Sequence, residues 1–230
     1  MNSTKDNLQV LFEDNHIIIV NKRVGDIVQG DKTGDTPLSE IVKQYIAEKY
    51  SKKGNVFLGV VHRLDRPTSG IVIFARTSKA LERLNKLLRD KQIQKTYWAI
   101  VKNKPTEEKG TLTHYLKKNS KNNKSTVFNR ETEGSKKAIL HYMVHKELDN
   151  YVVLKIDLET GRHHQIRAQL SFIKSPIKGD LKYGAKRSNL DGGICLHARE
   201  VQFIHPVSKE TIHIKANTPK NVLWDECSKL

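Results

Sequence analysis

Cysteine is scarce in this sequence, with only Cys195 and Cys227 among 230 residues. Two thiols can form one disulfide at most, and nothing around them requires it, so a reducing compartment is the simpler expectation. The apolar runs are short, as at residues 17–20, and none is long enough to cross a bilayer. The amino terminus has no apolar segment typical of a signal peptide. We therefore expect a cytoplasmic protein with no membrane partner.

Motifs for metal, nucleotide and nucleophilic chemistry are also missing. The sequence has no Gly-x-Gly-x-x-Gly or Gly-x-x-x-x-Gly-Lys loop, which would cradle nucleotide phosphates. It has no Cys-x-x-Cys with the His-x-Glu of zinc deaminases, and no Gly-x-Ser-x-Gly. The adjacent His163 and His164 would point to different faces of a helix, which is poor geometry for a shared metal. We expect chemistry that needs neither a metal nor a cofactor.

Acidic residues are outnumbered by basic ones. Lys and Arg total 41 against 25 Asp and Glu, which gives a formal charge of +16. A charge of this size attracts polyanions, so a phosphate backbone is the expected partner. The alternative is a soluble protein that is merely basic. The polar segment 117–137 holds many of the lysines, and it fits a solubilising loop as well as a contact with an RNA backbone.

The pattern of apolar residues predicts one α+β domain over residues 1–230, with its core at about 8–216. A helix is expected from Thr36-Pro37 to about Tyr50, with Thr36 as its cap, and a second from Thr77 or Ser78. A third helix is expected after Gly161, and a short one at 224–230. Strands and helices do not alternate regularly, which favours a mostly antiparallel sheet over a parallel one. The strands are expected at 8–12, 17–20, 59–61, 71–74, 95–101, 111–116, 126–128, 138–144, 151–158, 194–204 and 211–215.

One carboxylate stands in a polar turn between two of these apolar strands. Asp65 lies between Arg63 and Arg66, after the strand at 59–61 and before the strand at 71–74. A short loop held by core strands is a rigid support for a reactive side chain. An Asp between two arginines is, however, more often a surface ion pair or a turn residue. From this stretch alone the structural alternative is the better one.

Two later stretches carry groups that suit a site. Tyr97 lies on the strand at 95–101. A junction of strand, Gly161 and helix then brings Arg162, Gln165 and Arg167 close together in sequence, and such donors at a helix start can bind an anion.

These stretches resemble the RluA family of pseudouridine synthases. His62-Arg63-Leu64-Asp65 with Thr68-Ser69-Gly70 is similar to the family signature, and Lys95–Ala99 contains a similar tyrosine motif. Five similar stretches occur in the family's order, and this agreement reverses the odds on Asp65 in favour of catalysis. Many relatives carry an N-terminal S4-like RNA-binding domain, and we expect this protein to be the form without it. The five stretches are 62–70, 95–99, 161–167, 176–184 and 196–206.

The resemblance implies a single pseudouridine-synthase catalytic domain. Its sheet would be mixed and mostly antiparallel, with flanking helices and a central RNA-binding cleft. It also implies site-specific isomerisation of uridine to pseudouridine in structured transfer RNA or ribosomal RNA. The target base would flip out of the RNA, its glycosidic bond would break, and the uracil would rejoin the ribose through carbon 5. No cofactor is consumed, and a monomer is expected.

The resemblance also implies roles for individual residues. Asp65 would attack the anomeric carbon or the uracil, or remove a ribose proton. Tyr97 would stack on the uracil and help to take the carbon 5 proton. Arg167 would form an ion pair with Asp65 and keep it ionised. Arg63 would enter the RNA stack as the base leaves; the alternative for Arg63 is a phosphate contact or an ion pair within the loop. Ile166 would pack against the base. The other expected substrate contacts are His62, Arg162 and Gln165.

Two competing functions remain open. The charge also suits a non-catalytic RNA-binding or ribosome-assembly protein on the same fold. A metal-free hydrolase that uses Asp65 is a weaker alternative, because no group that would activate water is evident.

Overall fold

The computed structural model describes residues 2–31 and 33–228. The chain forms two compact units, of which unit 1 is Met1–Gln94 with Ala198–Trp224 and unit 2 is Lys95–His197 with Asp225–Leu230. The strands are β1 (Val10–Glu13), β2 (Ile17–Lys22), β3 (Gly59–Val60), β4 (Ser69–Ala75), β5 (Gln94–Val101), β6 (Lys109–Asn119), β7 (Lys124–Phe128), β8 (Lys136–Glu147), β9 (Val152–Leu158), β10 (Leu196–Ile204) and β11 (Thr211–Lys215). The helices are α1 (Leu38–Lys49), α2 (Ser78–Arg89), α3 (Gln165–Phe172) and α4 (Val222–Ser228), with a short 3-10 helix at Leu181–Tyr183.

These elements agree with the expected α+β class. The predicted short helix at 224–230 corresponds to α4 as far as Ser228, and residues 229 and 230 lie outside the described residues. Both units draw elements from the expected core at 8–216. The single domain itself stays a prediction. Within the described residues, no helix combines the length and the apolar character needed to cross a membrane.

The sheet of unit 1 is built on two buried, apolar strands. Its order is β1-β2-β4-β10, with β3 paired to β4 and β11 paired to β10. The pairs β1·β2, β2·β4, β3·β4 and β10·β11 are antiparallel. Strands β2 and β4 are rich in Ile and Val and are buried along their whole length, as the apolar runs predict. Helix α1 packs an apolar stripe against them, and the shared core consists of Ile18, Val20, Val28, Leu38, Val42, Ile46, Val72 and Phe74.

Helix α1 begins differently from the prediction. The cap position is Pro37, no side chain caps the helix, and the expected cap at Thr36 is wrong. The N–H groups of Leu38 and Ser39 instead donate to the carbonyls of Ile27 and Val28, at 2.7 and 3.2 Å. A tertiary contact therefore satisfies the donors that a side chain usually serves. Helix α2 follows the prediction, because Thr77 Oγ1 accepts from the N–H of Ala80 at 3.2 Å.

Strand β4 contains a glycine that no other residue can replace without strain. Gly70 has φ of +114°, and a Cβ built on it would lie 2.4 Å from the carbonyl oxygen of Ala198. Strand β4 is the neighbour of β10 in the sheet, so the backbone of Ala198 cannot move away cheaply. Both the positive φ and the close approach require glycine at this position.

Gly70→Ala is therefore expected to lower the free energy of unfolding by at least about 3 kcal/mol, through backbone strain and overpacking. Urea denaturation followed by circular dichroism measures the change. Gly30→Ala is the matched control, since a Cβ on Gly30 meets no atom within 4 Å and its φ is not positive. Equal midpoints for the two variants would contradict the argument.

Unit 2 is an antiparallel sheet of mostly longer strands. Its order is β5-β9-β8-β6-β7, and each neighbouring pair is antiparallel. Strands β6 and β7 extend beyond the predicted 111–116 and 126–128, because residues 117–119 and 124–125 continue the ladder despite their polar side chains. Helix α3 starts at Gln165, not directly after Gly161, and its residues from Gln165 to Leu170 are all buried.

Candidate active site

The Asp65 loop, residues 61–68, connects β3 to β4 in unit 1. Asp65 is half-buried, and its neighbour Leu64 packs against the core of this unit. Arg66 pairs with Asp35 at 2.6 Å, and Arg63 lies 3.4 Å from the amide oxygen of Gln29. Both flanking arginines thus have partners other than Asp65.

The ammonium of a buried lysine, Lys22, binds backbone carbonyls of this loop. Lys22 ends β2, lies opposite Gly70 in the sheet, and is 1% exposed. Its ammonium donates to the carbonyls of Arg23, Arg66 and Thr68 at 2.9, 3.1 and 2.7 Å. An ammonium has three N–H donors, so the three carbonyls match its full capacity. Lys22 therefore fixes the backbone on the C-terminal side of Asp65, and it was not predicted from the sequence because distant residues make the contact.

Burial lowers the pKa of Lys22 to about 7, and the carboxylates of Asp26 and Asp65 oppose that shift. Desolvation disfavours the ammonium, whereas a nearby negative charge favours it. The protonation of Lys22 is therefore set by the burial of its ammonium and by the two nearby carboxylates.

Lys22→Met is expected to destabilise the protein by about 1–3 kcal/mol, because the buried bond to the Thr68 carbonyl and two partly buried bonds lose their donor. Urea denaturation at pH 7 measures this change. Lys220→Met is the control; Lys220 is exposed, and its replacement should change stability by no more than about 0.5 kcal/mol.

The pH dependence gives a second measurement on the same pair. Between a folded pKa of about 7 and the ordinary value of 10.5, the unfolded chain binds more protons at Lys22 than the folded chain does. The stability of the wild type should therefore rise with pH, relative to Lys22→Met, by up to about 1.4 kcal/mol per pH unit in this window. A difference that is flat or falls from pH 7 to pH 9 would contradict the assignment.

His62 begins the stretch that resembles the family signature and attaches the loop to β4. Its Nε2 accepts from the backbone N–H of Ile73 at 3.2 Å. This bond gives His62 a structural role in unit 1, and the predicted substrate contact stays a prediction.

Tyr97 lies on β5 of unit 2, opposite Ile156 of β9, and is buried. Lys95, two residues earlier on the same strand, places its ammonium beside Gly161, 3.9 Å from where a Cβ would lie. Burial lowers the pKa of Lys95. Within the described part of the chain Lys95 has no hydrogen bond or ion pair, so its ammonium can serve an anionic ligand. Lys95 was not predicted as a site residue, because a strand lysine ordinarily points to solvent.

Arg167 is held by a buried carboxylate of the same unit. Its Nε donates to Asp180 Oδ2 at 2.7 Å and its Nη2 to Oδ1 at 2.9 Å, with side chains 5% and 1% exposed. The guanidinium also lies 5.1 Å from the ring centre of Tyr183. Ile166, the preceding residue, is buried. A guanidinium has five N–H donors and can serve more than one carboxylate. The ion pair with Asp65 stays a prediction, and Asp180 is a partner that was not predicted from the sequence.

The side chain of Gln165 braces the turn before α3. Its Oε1 accepts from Thr160 Oγ1 and from the N–H of Arg162, at 2.8 and 2.9 Å. Its Nε2 donates to the carbonyl of Ile139 at 3.0 Å, and Arg162 Nε donates to the carbonyl of Lys137 at 2.9 Å. Both residues therefore attach the turn to β8. Their predicted contacts with substrate are untested.

The residues at the start of α3 connect this helix to the β6–β7 hairpin. His164 has φ of 53° and lies 2.9 Å from Tyr183 Oη, which accepts from the N–H of Ser125 at 2.7 Å. His163 stacks on His164 with ring centres 3.8 Å apart, and its Nδ1 lies 2.9 Å from Ser125 Oγ. Burial raises the pKa of Tyr183. The hairpin and the helix that carries Arg167 therefore form one hydrogen-bonded assembly.

The family model described as RNA pseudouridylate synthase matches residues 16–172. The chain belongs to the RNA pseudouridylate synthase family. The resemblance to the RluA family is thereby confirmed, and so is the prediction of an isomerase that converts uridine to pseudouridine in RNA. The family match favours a catalytic protein over the non-catalytic RNA-binding alternative.

Curated relatives of this synthase support the same family. An uncharacterized RNA pseudouridine synthase, YhcT of Bacillus subtilis, is 33% identical over 218 residues, which cover 94% of this chain and 70% of that protein. Ribosomal large subunit pseudouridine synthase C of Buchnera aphidicola is 34% identical and is matched over 91% of this chain and 67% of its own length. Ribosomal large subunit pseudouridine synthase D of Zymomonas mobilis is 32% identical, with 94% and 70% covered. The synthase thus spans about two thirds of these relatives.

Solved structures agree with the fold of the synthase. Human RNA pseudouridylate synthase domain containing 4 superposes with a TM-score of 0.78 at 22% identity, and covers 94% of this chain and 90% of its own. Human RNA pseudouridylate synthase domain containing 1 gives a TM-score of 0.74 at 19% identity, with 99% and 90% covered. These likenesses confirm the predicted fold class.

The predicted site residues of the synthase are divided between the two units. Unit 1 holds the predicted acid and two of the expected substrate contacts, and unit 2 holds the predicted tyrosine and the stretch 161–167. The residues of unit 1 are His62, Arg63 and Asp65, and those of unit 2 are Tyr97, Arg162, Gln165, Ile166 and Arg167.

Proposed function

We propose that this synthase isomerises specific uridines to pseudouridine in structured RNA, with Asp65 as its essential acid. The support that matters most is the Asp65 loop. The two arginines that flank Asp65 contact other residues. The ammonium of Lys22 binds the backbone carbonyls of Arg66 and Thr68 in this loop. An acid on so firmly held a loop is suited to chemistry that needs a fixed geometry.

The reaction needs the remaining groups in defined roles. Asp65 attacks the anomeric carbon or the uracil, or removes a ribose proton; the three routes share the breaking of the glycosidic bond. Tyr97 stacks on the uracil and helps to remove the proton from carbon 5. Arg167 keeps Asp65 ionised, since an opposite charge at contact distance favours the carboxylate. The protein's own side chains carry each of these roles without a cofactor.

The target base must leave the RNA stack before these groups reach it, and unstacking costs a few kcal/mol. Phosphate contacts made by a protein of charge +16 offset part of that cost. Arg63 is exposed, as a residue that enters the stack requires, and Ile166 packs against the extruded base. His62, Arg162 and Gln165 complete the substrate contacts in this proposal, and Lys95 adds a cation beside Gly161.

Ribosomal RNA and transfer RNA are the two candidate substrates. Two relatives carry names that refer to the ribosomal large subunit, which supports ribosomal RNA for this protein. We place the synthase in the cytoplasm as a monomer, in contact with RNA and with no membrane.

Mapping of carbodiimide-resistant pseudouridines tests the function directly. RNA from cells with and without this protein is compared, and we expect at least one uridine to lose its modification when the protein is absent. Return of the wild-type gene restores the site. If the two maps agree at every position in ribosomal and transfer RNA, the proposed function is wrong.

The basic tip of the β6–β7 hairpin is expected to contact the RNA backbone. Replacing Lys117, Lys118 and Lys121 with Ser should reduce the salt dependence of RNA binding, by about one unit of slope for each phosphate that the variant no longer neutralises. Titrations of a fluorescent hairpin RNA over a several-fold range of KCl concentration measure this slope. An unchanged slope would assign these lysines to a solvated loop.

A further inference from the structure

Unit 2 contains a basic cavity of about 640 Å³ that none of the proposed catalytic residues lines. This volume falls within the range of ligand sites in proteins, which is roughly 300–1,000 Å³. Four of the lining residues are cationic, one is aromatic, and among the described lining residues none is acidic. The lining residues that matter here are Lys102, Tyr151, Lys178, Gly179, Lys186 and Arg187. We call it the 102–188 cavity.

Most of its positive charge is not neutralised by the protein. Lys102, Lys186 and Arg187 are exposed and have no hydrogen bond or ion pair with any described residue. Lys178 donates to Asn189 Oδ1 at 2.5 Å, which holds the ammonium in place without cancelling its charge. Four cations that converge on one concavity repel each other, and this repulsion is relieved when an anion binds.

The floor of the cavity is rigid backbone. The N–H of Lys178 donates to the carbonyl of Ile100, and the carbonyl of Lys178 accepts from the N–H of Cys195, both at 2.9 Å. Gly179 has φ of +88°, and a Cβ there would lie 2.6 Å from Asn189 Nδ2. These contacts hold residues 178 and 179 in place, so the cavity is formed before a ligand binds.

We infer that the 102–188 cavity binds a phosphate-bearing nucleotide of the RNA substrate outside the target uridine. This inference rests on the proposed function for the identity of the ligand. The cations suit a phosphate, and the half-buried ring of Tyr151 offers a surface on which a base can stack. A free phosphate compound shares the phosphate chemistry but does not need the ring.

The position of the cavity gives it a connection with catalysis. Gly179 lines the cavity, and the next residue, Asp180, holds the guanidinium of Arg167. A nucleotide bound at Gly179 therefore touches the loop that orients Arg167. The same segment, residues 179 and 180, therefore contacts the bound RNA and orients Arg167.

RNA binding by a triple variant tests the inference. Lys102, Lys186 and Arg187 are replaced with Ser in a protein that also carries Asp65→Asn, so that no turnover occurs during the titration. We expect affinity for a fluorescent uridine-containing hairpin RNA to fall at least about 10-fold at roughly 0.1 M salt, and the salt slope to fall by about 2–3. A control triple variant at Lys52, Lys53 and Lys220 removes the same charge from exposed lysines that have no ion pair with any described residue.

A second variant separates RNA from a free phosphate compound. Tyr151→Leu should weaken RNA binding at least about 5-fold, because a stacked base loses its partner. Pyrophosphate is titrated as the free probe. If pyrophosphate protects the wild type from thermal unfolding but not the cavity triple, and RNA binding is the same in both, the cavity serves a free ligand and the inference is overturned.

The two proposals fail in different ways. Equal losses of RNA affinity in the cavity triple and the control triple would show a general charge effect and would overturn the cavity inference. A wild type that binds RNA through the cavity but forms no pseudouridine would leave the inference standing and overturn the proposed function. A wild type with no RNA affinity would overturn both.

Discussion

Replacing Asp65 with Asn is expected to lower the rate of pseudouridine formation by at least about 10⁴-fold, the scale typical of losing an essential nucleophile or base. Asn keeps the volume of the side chain and removes its charge and its nucleophilic oxygen. The backbone bond from the N–H of Thr68 to the carbonyl of Asp65, at 3.0 Å, does not involve the side chain, so the loop should keep its shape. Tritium release from RNA labelled at carbon 5 of uridine measures the rate.

Two comparisons make this result interpretable. Asp90→Asn is the control, because Asp90 is an exposed carboxylate and lies outside every predicted site. It should release tritium at the wild-type rate. RNA affinity should be similar in all three proteins, since a single carboxylate contributes little to binding of a polyanion. If Asp65→Asn also releases tritium at the wild-type rate, the catalytic assignment is wrong. If no protein releases tritium from any RNA, the non-catalytic alternative is favoured.

The buried strands were predictable from the sequence because burial constrains composition. Strands β2 and β4 are runs of Ile and Val, and no other local structure suits such runs as well. The ends of the hairpin strands were not predictable in the same way. The residues next to the turn, at the end of β6 and the start of β7, are Lys, Asn and Ser, which join the ladder through backbone hydrogen bonds that carry no side-chain signature.

The site divides along a similar line. Asp65, Tyr97 and Arg167 could be proposed because each lies in a motif that resembles a known family. Lys22 and Asp180 act through contacts with residues 44 and 13 positions away, and no local pattern reports such pairs. The predicted cap of α1 was wrong for the same reason. The first N–H groups of this helix donate to carbonyls of a preceding loop, and no local pattern reports that contact. Polar contacts between residues distant in the chain are thus the part of the site that could not be predicted from the sequence.

The ion pair between Arg167 and Asp180 predicts the second large effect. Asp180→Asn removes the negative charge from a buried bidentate pair, and an amide has only one oxygen where the carboxylate accepts from both Nε and Nη2 of Arg167. Breaking such a pair typically costs about 3–5 kcal/mol of stability. We also expect turnover to fall at least about 100-fold, because small misplacements of a positioned group have effects of that size. Urea denaturation and tritium release, both at a temperature where the variant is folded, measure the two effects.

A double-variant cycle separates positioning from simple destabilisation. If Asp180 acts through Arg167, then Arg167→Ala with Asp180→Asn should be no slower than Arg167→Ala alone, since the group to be positioned is already absent. Asp191→Asn is the control. The Asp191 carboxylate accepts from the N–H of Gly193, two residues away, and Asn can keep that bond, so this substitution should leave turnover unchanged. Additive losses in the double variant would mean that Asp180 contributes independently of Arg167. In that case the carboxylate supports the fold of its loop, and the orientation of Arg167 must come from other contacts.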